Sequence, residues 1–280
     1  MSVVDFILNL AGLLLWLNWR SIRFDPLTRR TPATLMGTLR PAAPKKLQRW
    51  HFLLFIAGLL LLRALVYWWI GAVAGWVGRL DCGAITLSFA CRSSWFGLQT
   101  MTAFSFASFG LTLGIFYLCL LPLSLLGGPD PIHRLVKIPL GRVDDWPRWA
   151  KIILPFFAAA VSWWLASWLL GWASIVPPPV SAAERFEQSL VIGLGSYLLW
   201  KFPLGALLLL HLLNSYVYFG KHSFWKYVNV TAQTLLLPLR KIPLQVGKVD
   251  FAPIIGLVIL FLAAEGLGHL LWRLYTKLPF

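Results

Sequence analysis

Acidic side chains are scarce in this chain: ten Asp and Glu in 280 residues, with all charged residues together reaching only 12%. A soluble domain carries about a quarter of its residues as charges, and a chain in which 59% are hydrophobic has more apolar surface than one globular core can hide. A water-soluble globular protein is thereby excluded. The scarcity extends to chemistry. Only three cysteines are present, no Cys-x-x-Cys pair points to zinc or a redox centre, and there is no Ser-His-Asp arrangement, phosphate-binding glycine loop or His-Glu-x-x-His pair. The expectation is a protein without catalytic, cofactor-binding or metal-binding residues.

What the chain has in abundance is long apolar runs. Six can be marked, at residues 3–19, 52–78, 99–126, 152–176, 189–218 and 251–273, each near the roughly 20 residues that cross a hydrocarbon layer of about 30 Å. They predict an all-α polytopic membrane protein of about six transmembrane helices. The first run is the weakest because it carries Asp5, Asn9 and Asn18; it either spans or lies in the interface. An acid, Asp5, stands at its start and Arg20 and Arg23 follow it, the reverse of a cleavable signal, so it is expected to stay in the mature chain.

The net charge of +15 is distributed unevenly. Residues 20–51 hold eight Lys or Arg, 127–151 hold five and 219–250 hold five, so 18 of 25 lie in alternate loops. The positive-inside rule makes these loops cytoplasmic and, if the first run spans, puts both termini outside. This distribution explains the basic composition by topology and attraction to anionic headgroups, and no nucleic-acid partner is expected. Cys119 reads as a packed apolar side chain. Cys82 and Cys91 share an external loop, where they are either disulfide-bonded or two free thiols.

The loops suggest three helix-loop-helix hairpins: residues 1–98, with a basic loop and the external Cys loop, then 99–188 and 189–280. The last two share a pattern. Hairpin two reads Lys137, Ile138, Pro139, Leu140, Gly141, Arg142, Val143, Asp144 with Pro147 beyond; hairpin three reads Lys241, Ile242, Pro243, Leu244, then Gly247, Lys248, Val249, Asp250 with Pro253 beyond. Glycine permits the tight turn. Asp250 can cap the outgoing helix and Pro253 suits its first turn, while Pro238 and Pro243 break the preceding segment, so residues 228–237 are expected to form a short interfacial helix.

Residues 228–262, with Pro238, Arg240, Pro243, Gly247, Asp250 and Pro253 in order and Ala252 where a serine is usual, resemble the YggT family. The likeness is specific over about 50 C-terminal residues and weaker over 122–165, where Pro139, Gly141 and Asp144 stand in the corresponding positions. It implies a small bacterial or plastid membrane protein with duplicated hairpins, of a family associated with envelope or thylakoid organisation, cell division and assembly of membrane complexes, including haem attachment to a cytochrome b. The expectation is a non-catalytic scaffold or assembly factor of the bacterial inner membrane, contacting lipid and another membrane protein or complex. The alternative is a small ion- or proton-coupled channel or transporter.

Charges within apolar runs are costly and hence candidates for function. Arg63, Lys201 and Glu265 are such charges. Lys201 and Glu265 form a packed ion pair in one reading; snorkelling of the bases, or a proton path through Glu265 and His269, are the others. His211 and His269 fall at opposite depths and are not expected to share a haem iron.

Overall fold

A computed structural model of the chain describes residues 3–21, 49–82, 86–91, 94–126, 133–172, 181–217, 223–239, 245–246 and 249–277. It is about 89% helical. Six helical stretches are long and apolar enough to cross a membrane: Val3–Arg20, Trp50–Gly71, Trp95–Leu126, Arg148–Trp172, Ala182–Tyr216 and Ala252–Tyr275. The chain is an all-α polytopic membrane protein.

In order, the elements are α1 (Val3–Ser21), α2 (Arg49–Ala74), β1 (Val77–Asp81), β2 (Thr86–Ala90), α3 (Trp95–Leu126), α4 (His133–Leu140), a 3-10 turn (Gly141–Asp145), α5 (Arg148–Trp172), α6 (Ala182–Gly195), a second 3-10 turn (Ser196–Trp200), α7 (Lys201–Tyr216), α8 (Ser223–Leu235), β3 (Gln245–Val246), β4 (Val249–Asp250) and α9 (Ala252–Lys277). Two boundaries depart from the hydrophobic runs for local reasons. The second run ends early, because Gly75 takes a positive φ of 62° and the Trp76 amide closes on the Gly71 carbonyl at 3.0 Å, a glycine-terminated helix stop. The chain then forms the β1-β2 pair, whose alternating burial leaves Leu80, Leu87 and Phe89 inside. The fifth span starts before its apolar run because Ser181 accepts from the Glu184 amide at 3.1 Å, capping a polar first turn. It continues through the tighter 3-10 turn into α7, giving 35 residues, a path of about 52 Å if helical throughout and longer than the hydrocarbon needs.

The chain divides into two compact units, one of Met1–Arg79 with Ser88–Thr112, the other of Leu80–Leu87 with Leu113–Phe280. The cut falls inside α3. In the N-terminal unit α1 packs on α2, the Ser105 hydroxyl bonds the Leu60 carbonyl at 2.8 Å, and Leu60, Ala64, Met101 and Phe104 are buried. In the C-terminal unit α5 packs on α6, and α7 lies against α8 and α9. The helix expected at 228–237 is α8, which buries Tyr227, Val228, Thr231 and Ala232 along one face. Leu207, Leu208, Ala232 and Leu236 form the core that α8 shares with α7.

Candidate functional site

Among the described residues Arg63 is the most deeply buried charge, at 2% exposure, and the N-terminal unit is organised around it. Its Nη2 donates to Asp5 Oδ1 at 2.7 Å, its Nη1 to Asn9 Oδ1 at 2.8 Å, and Nη2 also reaches Ser108 Oγ at 3.2 Å. Asn9 Nδ2 donates to the same serine at 3.0 Å, and the Tyr67 hydroxyl donates to Asp5 Oδ1 at 2.5 Å. Asp5 and Asn9 are four residues apart on α1, and Arg63 and Tyr67 are four apart on α2, so each pair lies on one helical face. Above the guanidinium stand the rings of Tyr67 and Phe104, at 5.5 and 5.3 Å. Trp76 and Phe89 pack edge-on to Phe104 and extend the aromatic cover.

This arrangement holds helices together. A guanidinium remains protonated in proteins and has no acceptor capacity, so an Arg-carboxylate pair sealed under rings is a poor acid-base device. In an apolar medium its cost is offset only because nearly every polar atom finds a partner. Two of the three polar residues that weaken the first run as a span, Asp5 and Asn9, are the ones that receive the charge of the second.

The segment between α3 and α5 holds a second cluster. Gly141 adopts φ 60° and starts the 3-10 turn that carries Asp144. Asp144 Oδ1 accepts from Ser124 Oγ at 2.6 Å and lies 3.5 Å from Lys151 Nζ, which itself donates to Ser124 Oγ at 2.8 Å. Lys151 and Ser124 are buried. Lys137 instead meets the exposed Asp145 at 2.7 Å, with Asp144 Oδ2 at 4.0 Å, and the bond to Asp145 holds its ammonium above the usual lysine range. Arg142 is exposed. Pro139 lies within α4. The buried base beside Asp144 is Lys151, beyond the repeated motif, while Lys137 stands at the edge of the cluster.

Of the C-terminal motif, Arg240, Pro243 and Gly247 lie outside the described residues. Pro238 is exposed in a turn and Pro253 is buried in the first turn of α9. The backbone of Asp250 pairs with Gln245 in the antiparallel β3-β4 ladder, whereas the stretch around Pro139, Gly141 and Asp144 is helix and 3-10 turn.

Lys201 and Glu265 do not meet. Glu265 Oε1 lies 3.4 Å from His269 Nε2 on the next turn of α9, and Lys201 Nζ stands 5.3 Å over the ring of Phe202. The reason is rotational: α9 turns Pro253, Gly256, Ala264 and Leu271 inward, and Glu265, about 100° round from Ala264, faces away. His211 Nδ1 is 2.9 Å from Asn229 Oδ1, which also accepts from Asn214 at 3.1 Å; this is a satisfied polar contact between α7 and α8. Cys82, Cys91 and Cys119 are free thiols. Burial, aided by the Asp81 charge, pushes the Cys82 thiol up to about 11, and the Cys91 thiol donates to the Tyr67 carbonyl at 3.3 Å.

An apolar groove of about 320 Å³ lies between Leu194, Leu198, Leu267 and Leu274. Leucine side chains and Tyr197 line it, and it suits hydrocarbon more than a polar substrate. Among the described residues no three His, Cys, Asp or Glu side chains gather as metal ligands. Tyr67, Ser108, Ser124 and Lys151 are the site residues that composition and motif do not reveal; the signal for Tyr67 is its four-residue spacing from Arg63. Compared with known proteins, the chain matches no family model, no curated protein and no solved structure.

Proposed function

We propose that this chain is a non-catalytic membrane scaffold or assembly factor of the YggT type, built from three helix-loop-helix hairpins of which the last two are diverged copies, and seated in a bacterial inner membrane with its basic elbows on the cytoplasmic side. The observation that carries this reading is the closed Asp5-Arg63 cluster: the deepest intramembrane charge is consumed in joining α1, α2 and α3. A transporter would keep such a charge reachable from water or from a substrate. The buried Lys151-Ser124-Asp144 cluster supports the same view for hairpin two, since it fixes the elbow's shape and leaves Arg142 and Arg148 outward for a partner or anionic lipid.

The test reverses charge on that outward surface. Arg142→Glu with Arg148→Glu should leave the melting temperature of the purified chain unchanged and abolish recovery of its membrane partner in mild detergent. Solute flux in proteoliposomes well above that of empty vesicles, with partner recovery unaffected by the reversal, would refute the scaffold reading and favour transport.

A further inference from the structure

Glu265 and His269 are an anomaly for a spanning helix, because their side chains are 71% and 73% exposed. Glu265 is 13 residues from the start of the Ala252–Tyr275 span and 10 from its end, about 20 Å and 15 Å along the axis, so its carboxylate is displayed at a depth where lipid offers no hydrogen-bond donor. One imidazole on the same helix satisfies only part of it.

The surroundings of the pair have a regular order. Val258, Leu262, Glu265, His269 and Trp272 are all exposed and follow one another at intervals of four, three, four and three. That is the spacing of a coiled-coil seam, with Leu262 and His269 at a and Val258, Glu265 and Trp272 at d. On this seam position e is Gly266, where an added Cβ would meet nothing, and position g is Gly268. Small residues beside a seam let helix backbones approach closely in a membrane.

We propose that α9 pairs through this seam with α9 of a second copy of the chain, parallel in the bilayer, each Glu265 meeting the His269 of the other. Copies inserted with the same orientation can only pair in parallel. In a parallel seam an a-position side chain enters a hole bordered by the preceding d and g residues of the facing helix. His269 therefore enters a hole bordered by Glu265 and Gly268, and the two-fold axis repeats the contact with the roles exchanged. A second copy carries the complementary base by construction, whereas any other helix would have to supply one at the same depth. This inference stands apart from the scaffold reading and fails or survives independently of it.

Counting photobleaching steps of the labelled full chain in lipid nanodiscs tests the stoichiometry, and oxidative cross-linking tests the face. Two-step bleaching is expected, with Glu265→Leu lowering the dimer population about tenfold and the exchange Glu265→His with His269→Glu restoring it. With the native cysteines replaced by serine, Leu262→Cys should cross-link between chains and Ala264→Cys, on the inward side, should not. Single-step bleaching, a dimer indifferent to Glu265→Leu, cross-links equal at both positions, or stoichiometric occupation of the seam by a different protein would each overturn the proposal.

Discussion

At the scale of single residues, stability is concentrated where charge is enclosed. Removing one partner from a buried ion pair strands the other, which costs more than the pair itself contributes. Asp5→Leu and Arg63→Met should therefore each lower unfolding stability in detergent by about 3 kcal/mol, and the double replacement should recover at least half of the summed loss. Strictly additive losses in the double-mutant cycle would show that the two side chains act separately. Much of this cluster was readable in pieces: Arg63 stood out as a charge in an apolar run, and Asp5 and Asn9 as blemishes in another. What sequence does not contain is the pairing, since an arginine at mid-span is equally compatible with snorkelling, and Ser108 is one of several small polar residues on α3. For Glu265 and Lys201 an ion pair, snorkelling and a proton path are all compatible with the sequence, and the rotation of α9 places Glu265 beside His269.

At the scale of elements, close approach is what single substitutions disturb. A Cβ on Gly193 of α6 would lie 3.0 Å from the Phe156 carbonyl oxygen of α5, whereas one on Gly256 of α9 would meet the terminal methyl of Leu236 at 2.8 Å. A carbonyl in a helix cannot step aside and a leucine terminus can rotate. Gly193→Ala should accordingly cost about 1–3 kcal/mol and Gly256→Ala distinctly less, measured by thermal unfolding under identical detergent conditions; equal losses would contradict the distinction. The six spans were legible because hydropathy registers over a whole helix. The β1-β2 pair was passed over although Leu80, Leu87 and Phe89 alternate with polar or small neighbours, since five-residue strands in a loop give a weak signal next to 20-residue apolar runs. Pro139, Gly141 and Asp144 mark the turn between α4 and α5 in the sequence, yet its buried base, Lys151, belongs to the following helix, where proximity to Arg148 makes it look like one more topogenic charge.

For the whole molecule, the charge asymmetry sets an orientation that labelling can read. Single cysteines placed between residues 30 and 45 should be shielded from an impermeant maleimide in intact cells, while Cys82 should be accessible from outside. Because its thiol is pushed up to about 11, only the small thiolate fraction reacts at neutral pH, and its labelling rate should rise about tenfold per pH unit below that value. Fast labelling within 30–45 would invert the topology. The polar cluster of the N-terminal unit also bears on how the chain enters the membrane. As α1 leaves the ribosome, Asp5 and Asn9 have no partner, and an isolated helix with an aspartate is a reluctant passenger into lipid. Arg63 is synthesised some 58 residues later and Ser108 about 45 after that. Stable insertion of the first helix is thus tied to the arrival of the second and third, and a chain truncated before residue 63 is expected to leave its N-terminus at the surface, exposed to quality-control proteolysis, until that arginine is supplied.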